Sequence, residues 1–198
     1  MSNPNHPKPG AVIKTDPIKT LKDVKAIKKM LAGNTRDLCL FTCGLSWFMR
    51  AGDLLSIRVG QVRHLKPGES FVLREQKCKK IRNIAIGQNV YDVIQALIKS
   101  MGNDVSDDSY LFQSRKGGGK LAVPTLGAMV KSWCKSINLV GNYSSHSLRK
   151  SGSYLNRVCY GVDVATLMQV LGHSTQKMTM QYICVQPDEV QNCYLREL

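Results

Sequence analysis

Apolar residues recur at helical spacing from Leu21 onward: Leu21, Val24, Ile27 and Leu31 share one face, and lysines crowd the other. Thr20 and Asp23 have capping-box spacing, so an amphipathic helix is predicted from there to about Gly33. Asn34 or Thr35 can cap the next segment, which is apolar almost without a break through Phe48. That predicts a helix buried on most sides and ending near Arg50 and Gly52. The period changes between Leu55 and Ile86, where SIRVGQVRH, a turn at Lys66–Glu69 and SFVLREQKCKKIRNIAI predict three short antiparallel strands with a basic tip. Helical spacing returns over Val90–Met101, Leu111 and Phe112 read as a short extended piece, and residues 114–120 as a flexible basic loop rich in glycine. Pro124 opens a helix through Trp133, Ser145 caps another through Tyr160, and Val162–Leu171 and Thr175–Tyr182 predict two more. The expected fold class is α+β, a mainly helical domain carrying a small three-stranded antiparallel sheet.

Outside that domain the patterning fades. Residues 1–19 hold four prolines and no hydrophobic period, which predicts a flexible basic arm before a domain at 20–182. Residues 183–198 form a tail containing Val185, Val190, Tyr194 and Leu195. A hydrophobic fraction of 43% over 198 residues suits one globular core. The charge adds what the pattern does not: 28 basic against 14 acidic residues leaves 28 − 14 = +14, an excess that points to a polyanion, either nucleic acid or an anionic membrane surface. The longest apolar stretch, Leu38–Met49, is too short for a bilayer core of about 30 Å. The N-terminus has no secretory or myristoylation pattern, so the expected location is cytoplasmic, on the nucleoid if the source is bacterial. Seven cysteines without a C-x-x-C pair read as buried or idle thiols, and no metal is expected.

Three places carry candidate chemistry. Arg50 follows an apolar helix, where an unpaired guanidinium is costly unless it meets a carboxylate or a phosphate, and Asp53 is the obvious local partner. His146 and Arg149, spaced i, i+3, project together near a helix N-terminus that already favours an anion. In LGHSTQKMTMQY, Gly172 ends a helix, His173 lies in the turn, Ser174 caps a short helix and Tyr182 sits near its end, which brings imidazole and phenol within reach of each other. Singly, each pattern is more often a solvated charge or a packed core side chain.

In order and together they closely resemble the tyrosine recombinase (phage integrase) family over roughly residues 20–190. The family's first arginine box is matched by GLSWFMRAGDLLSIRVGQV, its hairpin lysine by REQKCKKIRNIAI, its second box by HSLRKSGSYL and its nucleophile segment by LGHSTQKMTMQY. The resemblance implies a DNA breaking-rejoining enzyme fold with catalytic Arg50, Lys77, His146, Arg149, His173 and Tyr182, and Asp53 as supporting acid. Lys77 is the best fit to the hairpin lysine, with Lys79 and Lys80 close by. Two arginine forks suit the negative charge that builds on a phosphodiester under attack. The implied roles are Tyr182 as nucleophile, His146 as part of its proton acceptor, Lys77 as acid on the departing 5′-oxygen and His173 as donor to the phosphate. The implied product is a 3′-phosphotyrosine, made without cofactor, metal or ATP. Lys66, Arg74, Lys79, Lys80, Arg82, Arg115, Lys116 and Lys120 are then expected to contact the duplex backbone, each contact adding about 0.9 to the salt slope.

The implied partners are double-stranded DNA and further copies of the chain, a homo-tetramer assembled on two sites that is monomeric or weakly associated when free. Family members usually carry a separate N-terminal DNA clamp. Fewer than about 20 residues precede the domain here, as expected of a naturally short recombinase or of the catalytic piece of a longer protein. Two rival readings are a type IB topoisomerase, which relaxes supercoils as a monomer, and a non-catalytic DNA-binding accessory protein that has kept the fold.

Overall fold

The computed structural model describes residues 15–102, 104–115, 117–183, 191 and 193–195. Helix α1 (Leu21–Met30) starts where the sequence predicts, with Thr20 Oγ1 accepting from the Asp23 amide at 3.0 Å. Asn34 caps α2 (Thr35–Ser46) through the Asp37 amide, and Cys39, Leu40, Phe41 and Cys43 along it are fully buried. This greasy helix stops earlier than its composition suggests. Trp47 is its C-cap, and Phe48 turns the chain with φ 52°, a left-handed conformation that few bulky side chains adopt. Arg50 therefore stands at the N-cap of a separate short helix, α3 (Ala51–Leu55), rather than trailing from α2.

The sheet has two strands among the described residues, not three. β1 (Ser70–Arg74) pairs antiparallel with β2 (Ile81–Ala85), Phe71 opposite Ile84, and both of these face inward with Leu73. Phe71 packs edge-on to Trp47, which fixes the hairpin to the end of α2. The segment expected as the first strand makes one bridge, Arg58 to Tyr110, and then a 3-10 turn at Val59–Gln61. Val59 and Val62 are both buried, so the apolar spacing there is that of a turn and not of a strand. In the glycine-rich loop, Ser114 N–H donates to the Gly119 carbonyl at 2.7 Å.

Three longer helices and two short ones complete the domain in the expected order: α4 (Gln88–Met101), α5 (Val123–Ser136), α6 (Ser145–Tyr160), α7 (Val164–Leu171) and α8 (Gln176–Ile183). α2 is central and packs on α4 and α6, α5 also packs on α6, and α8 rests on α6 and α7. Ser144 rather than Ser145 caps α6, and Asp163 caps α7. No described helix is long and apolar enough to cross a membrane. Residues 15–18, expected as part of the flexible arm, are docked: Ile18 is fully buried, its amide donates to Ser151 Oγ at 2.7 Å, and Asp16 N–H donates to the Asn142 carbonyl. An apolar side chain at 18 has a cleft to fill, which the prolines around it hide from a reading of composition. Residues 1–14 of the arm lie outside the described residues, as does most of the 183–198 tail.

The crossing of α2 and α6 leaves no room for side chains. A Cβ on Gly152 would come within 2.1 Å of the Leu45 carbonyl oxygen, and one on Gly44 within 2.6 Å of Leu148. Gly152→Ala is expected to lower the unfolding free energy by about 3 kcal/mol in urea denaturation, because backbone and not a flexible tip must give way. An unchanged midpoint would show that the two helices are not held this close.

Candidate active site

The turn after α2 and the N-terminal half of α6 build the site around one buried cation. Arg149 is 1% exposed and is the largest fully buried side chain. Its Nη1 donates to the Phe48 carbonyl and its Nη2 to the Leu171 carbonyl, each at 2.6 Å. Nη2 also lies 3.5 Å from His173 Nε2, and the buried Nε has no hydrogen-bond partner. The left-handed turn at Phe48 is what offers its carbonyl to Arg149; Gly172, left-handed at φ 64°, ends α7 so that the Leu171 carbonyl faces the same guanidinium. Burial, followed by the Arg50 and Arg82 charges, lowers the Arg149 pKa to about 10, against a favourable contribution from Tyr182, so it stays ionised at neutral pH.

Tyr182, on α8, is surrounded by the other predicted residues. Its ring centroid is 5.0 Å from that of His146 and 4.7 Å from that of His173. The Arg149 guanidinium lies 5.6 Å from the ring centre and Lys150 Nζ 5.9 Å. His173 Nδ1 is 3.1 Å from Thr179 Oγ1 on the same helix. A guanidinium has only donors, so the contact with Arg149 assigns Nε2 as acceptor and Nδ1 as the protonated nitrogen in the DNA-free protein. Donation from Nε2 to a phosphate needs the other tautomer, in which Nδ1 accepts from Thr179 Oγ1, or the doubly protonated ring.

Arg50 is brought to the same place, but with a different partner from the one the sequence suggests. Its Nη1 pairs with Glu75 Oε2 at 2.8 Å. Asp53 is buried and accepts instead from the Gln76 amide at 2.8 Å, fixing the start of the hairpin tip. Glu75 is fully buried and also takes the Cys78 thiol at 2.6 Å and Arg82 Nη1 at 3.4 Å. Burial pushes its carboxyl up, but the thiol and the two arginines outweigh that and hold it below the ordinary carboxylate range.

The hairpin residues separate into groups. Lys77 is exposed at the tip, whereas Lys80 Nζ donates to the Gly172 carbonyl at 3.2 Å, beside His173. Lys66, Arg74, Lys79, Arg115 and Lys120 are exposed, as backbone contacts require, and Lys116 lies outside the described residues. Arg82 is turned inward, onto the Trp47 and Phe48 carbonyls and Glu75, so it braces the site and is not free for a duplex. Sequence reasoning missed Glu75 and Lys150. The signal for Glu75 was its place as the one acid in the run REQKCKK.

A family model described as the phage integrase family matches residues 17–189. The chain belongs to that family. The probable integrase/recombinase YoeC of Bacillus subtilis (strain 168) is 28% identical over 182 residues, covering 90% of this chain and 94% of YoeC. The tyrosine recombinase XerC of Caldanaerobacter subterraneus is 27% identical over 175 residues, 86% of this chain and 48% of XerC. Among solved structures, XerA recombinase superposes with a TM-score of 0.75 at 17% identity, over 91% of this chain and 65% of XerA. The post-cleavage complex of XerH gives 0.74 at 17% identity, over 92% of this chain and 52% of XerH. The chain thus spans nearly all of YoeC and about half of XerC. The mainly helical α+β fold and the recombinase class expected from the sequence both stand.

Burial and the nearby cations both act on the imidazoles. His146 and His173 are each pushed down to about 4, by burial first and then by the Arg149 charge. An unfolded histidine takes up its proton near 6.5, so between about pH 6.5 and 4 the folded state binds fewer protons than the unfolded one. The stability carried by the neutral rings is complete above that window and disappears as pH falls through it. Urea midpoints are therefore expected to fall from pH 7 to pH 4, and to fall less steeply in His146→Asn/His173→Asn. Identical pH slopes in the two proteins would contradict these assignments.

Proposed function

We propose that the protein is a site-specific DNA recombinase that cuts and rejoins strands through a phosphotyrosine at Tyr182. The observation that carries this reading is the packing of His146, His173, Arg149 and Lys150 around the Tyr182 ring within one chain. A phenol has no need of such neighbours for stability, since the two cations beside the ring, Arg149 and Lys150, repel each other until an anion arrives. A phosphodiester supplies that anion. Tyr182 Oη attacks phosphorus, its proton passes to a neutral acceptor, the role given to His146 with its ring 5.0 Å from that of Tyr182, and the 5′-oxygen leaves with a proton from a hairpin lysine. Lys77 holds the family's position for that lysine, and Lys80 is the second candidate because its ammonium already rests beside His173. Arg50 and Arg149 hold the non-bridging oxygens as their charge grows. Because the phosphotyrosine keeps the energy of the broken bond, attack by a 5′-hydroxyl reverses the step.

Double-stranded DNA is the proposed partner. XerH has been solved on its palindromic difH substrate, and the exposed Lys66, Arg74, Lys79, Arg115 and Lys120 give this chain a basic surface for the same kind of ligand. Assembly as a tetramer on two sites, with the 183–198 tail docking on a neighbour and residues 20–182 as the catalytic domain, belongs to the same proposal. Wild type incubated with a pool of nicked duplexes of randomised core sequence is expected to retain DNA through a denaturing wash, and Tyr182→Phe to retain none. No retained DNA with wild type, or equal retention by the variant, would overturn the assignment. Supercoil relaxation without any joined recombinant would favour the topoisomerase reading.

A further inference from the structure

Glu75 sits at the join of nearly everything charged in the site. Its side chain is fully buried, so no phosphate can approach it, yet its two oxygens face different partners. Oε2 accepts from Arg50 Nη1 and from the Cys78 thiol, and Oε1 accepts from Arg82. Arg82 passes the connection on to the Phe48 carbonyl, which Arg149 also engages. A single carboxylate thereby links both arginines proposed to hold the phosphate. Its own backbone closes the hairpin tip: Glu75 N–H donates to the Lys80 carbonyl and Lys79 N–H donates to the Glu75 carbonyl. The tip so closed carries Lys77, and Lys80 at its far end rests on Gly172.

We propose that Glu75 is a positioning residue for strand cleavage, fixing Arg50 through Nη1 so that its remaining donor edge meets the phosphate in register with Arg149. Two details favour positioning over simple charge neutralisation. Arg50 meets both Glu75 and the Cys78 sulfur through Nη1, and among the described residues no hydrogen bond engages its Nη2 or Nε, while the side chain stays 25% exposed on the site. A carboxylate that competed with DNA for the fork would occupy the exposed edge, and this one is buried behind it. Asp53, the acid nearest Arg50 in sequence, is spent on the Gln76 amide and cannot do the same work. The proposal rests on the recombinase reading.

The test uses the full chain and a nicked duplex recovered by wild-type trapping. The rate of covalent-complex formation is measured with protein in saturating excess, beside DNA affinity and the melting temperature. Glu75→Gln keeps the shape and loses the charge. It is expected to cleave bound DNA on the order of 10- to 100-fold more slowly, with affinity equal to wild type or tighter, at a temperature where it is fully folded. Glu75→Asp keeps the charge and withdraws it by about one carbon–carbon bond, and is expected to be slower than wild type while remaining folded. A wild-type cleavage rate in either single variant would overturn the proposal. So would a loss of affinity and rate that merely tracks the folded fraction. If wild type itself traps no DNA, the recombinase reading fails before Glu75 is tested.

Discussion

A guanidinium buried to 1% exposure must be fed by fixed dipoles, and the rest of this site depends on how Arg149 meets that demand. Two main-chain carbonyls answer it, one from Phe48 in a left-handed turn and one from Leu171 at the end of α7. The α2–α3 turn, the start of α6 and the α7–α8 turn are thereby tied to a single side chain. Arg50, His146 and His173 sit on those same segments and Tyr182 on α8, which follows the last of them, so the bond network around Arg149 also sets the spacing of the groups near it. The close crossing of α2 and α6 at Gly44 and Gly152 brings the Phe48 carbonyl near enough to serve.

The electrostatics follow from this scaffold. Glu75 is the buried carboxylate that pairs with Arg50 and Arg82, and burial, followed by the Arg149 charge, pushes both imidazoles down to about 4. A site assembled in this way is short of negative charge until a phosphate enters. The whole chain carries the same imbalance, with a formal charge of +14.

Much of this was legible in the sequence because it rests on local rules. Capping by Thr20 and Asn34 and the helical periods are set within a few residues of each other, and Arg50, the His146–Arg149 pair and the His173–Tyr182 segment each stand in a short local motif. What was not legible depends on contacts across the fold. Asp53 is three residues from Arg50, and sequence distance made it the natural partner; Glu75 lies twenty-five residues away and wins because the hairpin folds it under the guanidinium. Arg82 was indistinguishable from its exposed neighbours until strand register turned it toward Trp47 and Phe48. The missing third strand has a similar cause, since buried positions three apart at Val59 and Val62 fit a turn as well as an alternating strand.

The account comes down to one oxygen, the Tyr182 hydroxyl, and peptide mapping of the trapped protein–DNA complex addresses it most directly. After nuclease and protease digestion, a nucleotide mass joined through a 3′-phosphate is expected on the peptide containing Tyr182. Attachment at Tyr160, Tyr194 or a serine, or a complex that dissolves on denaturation, would contradict it.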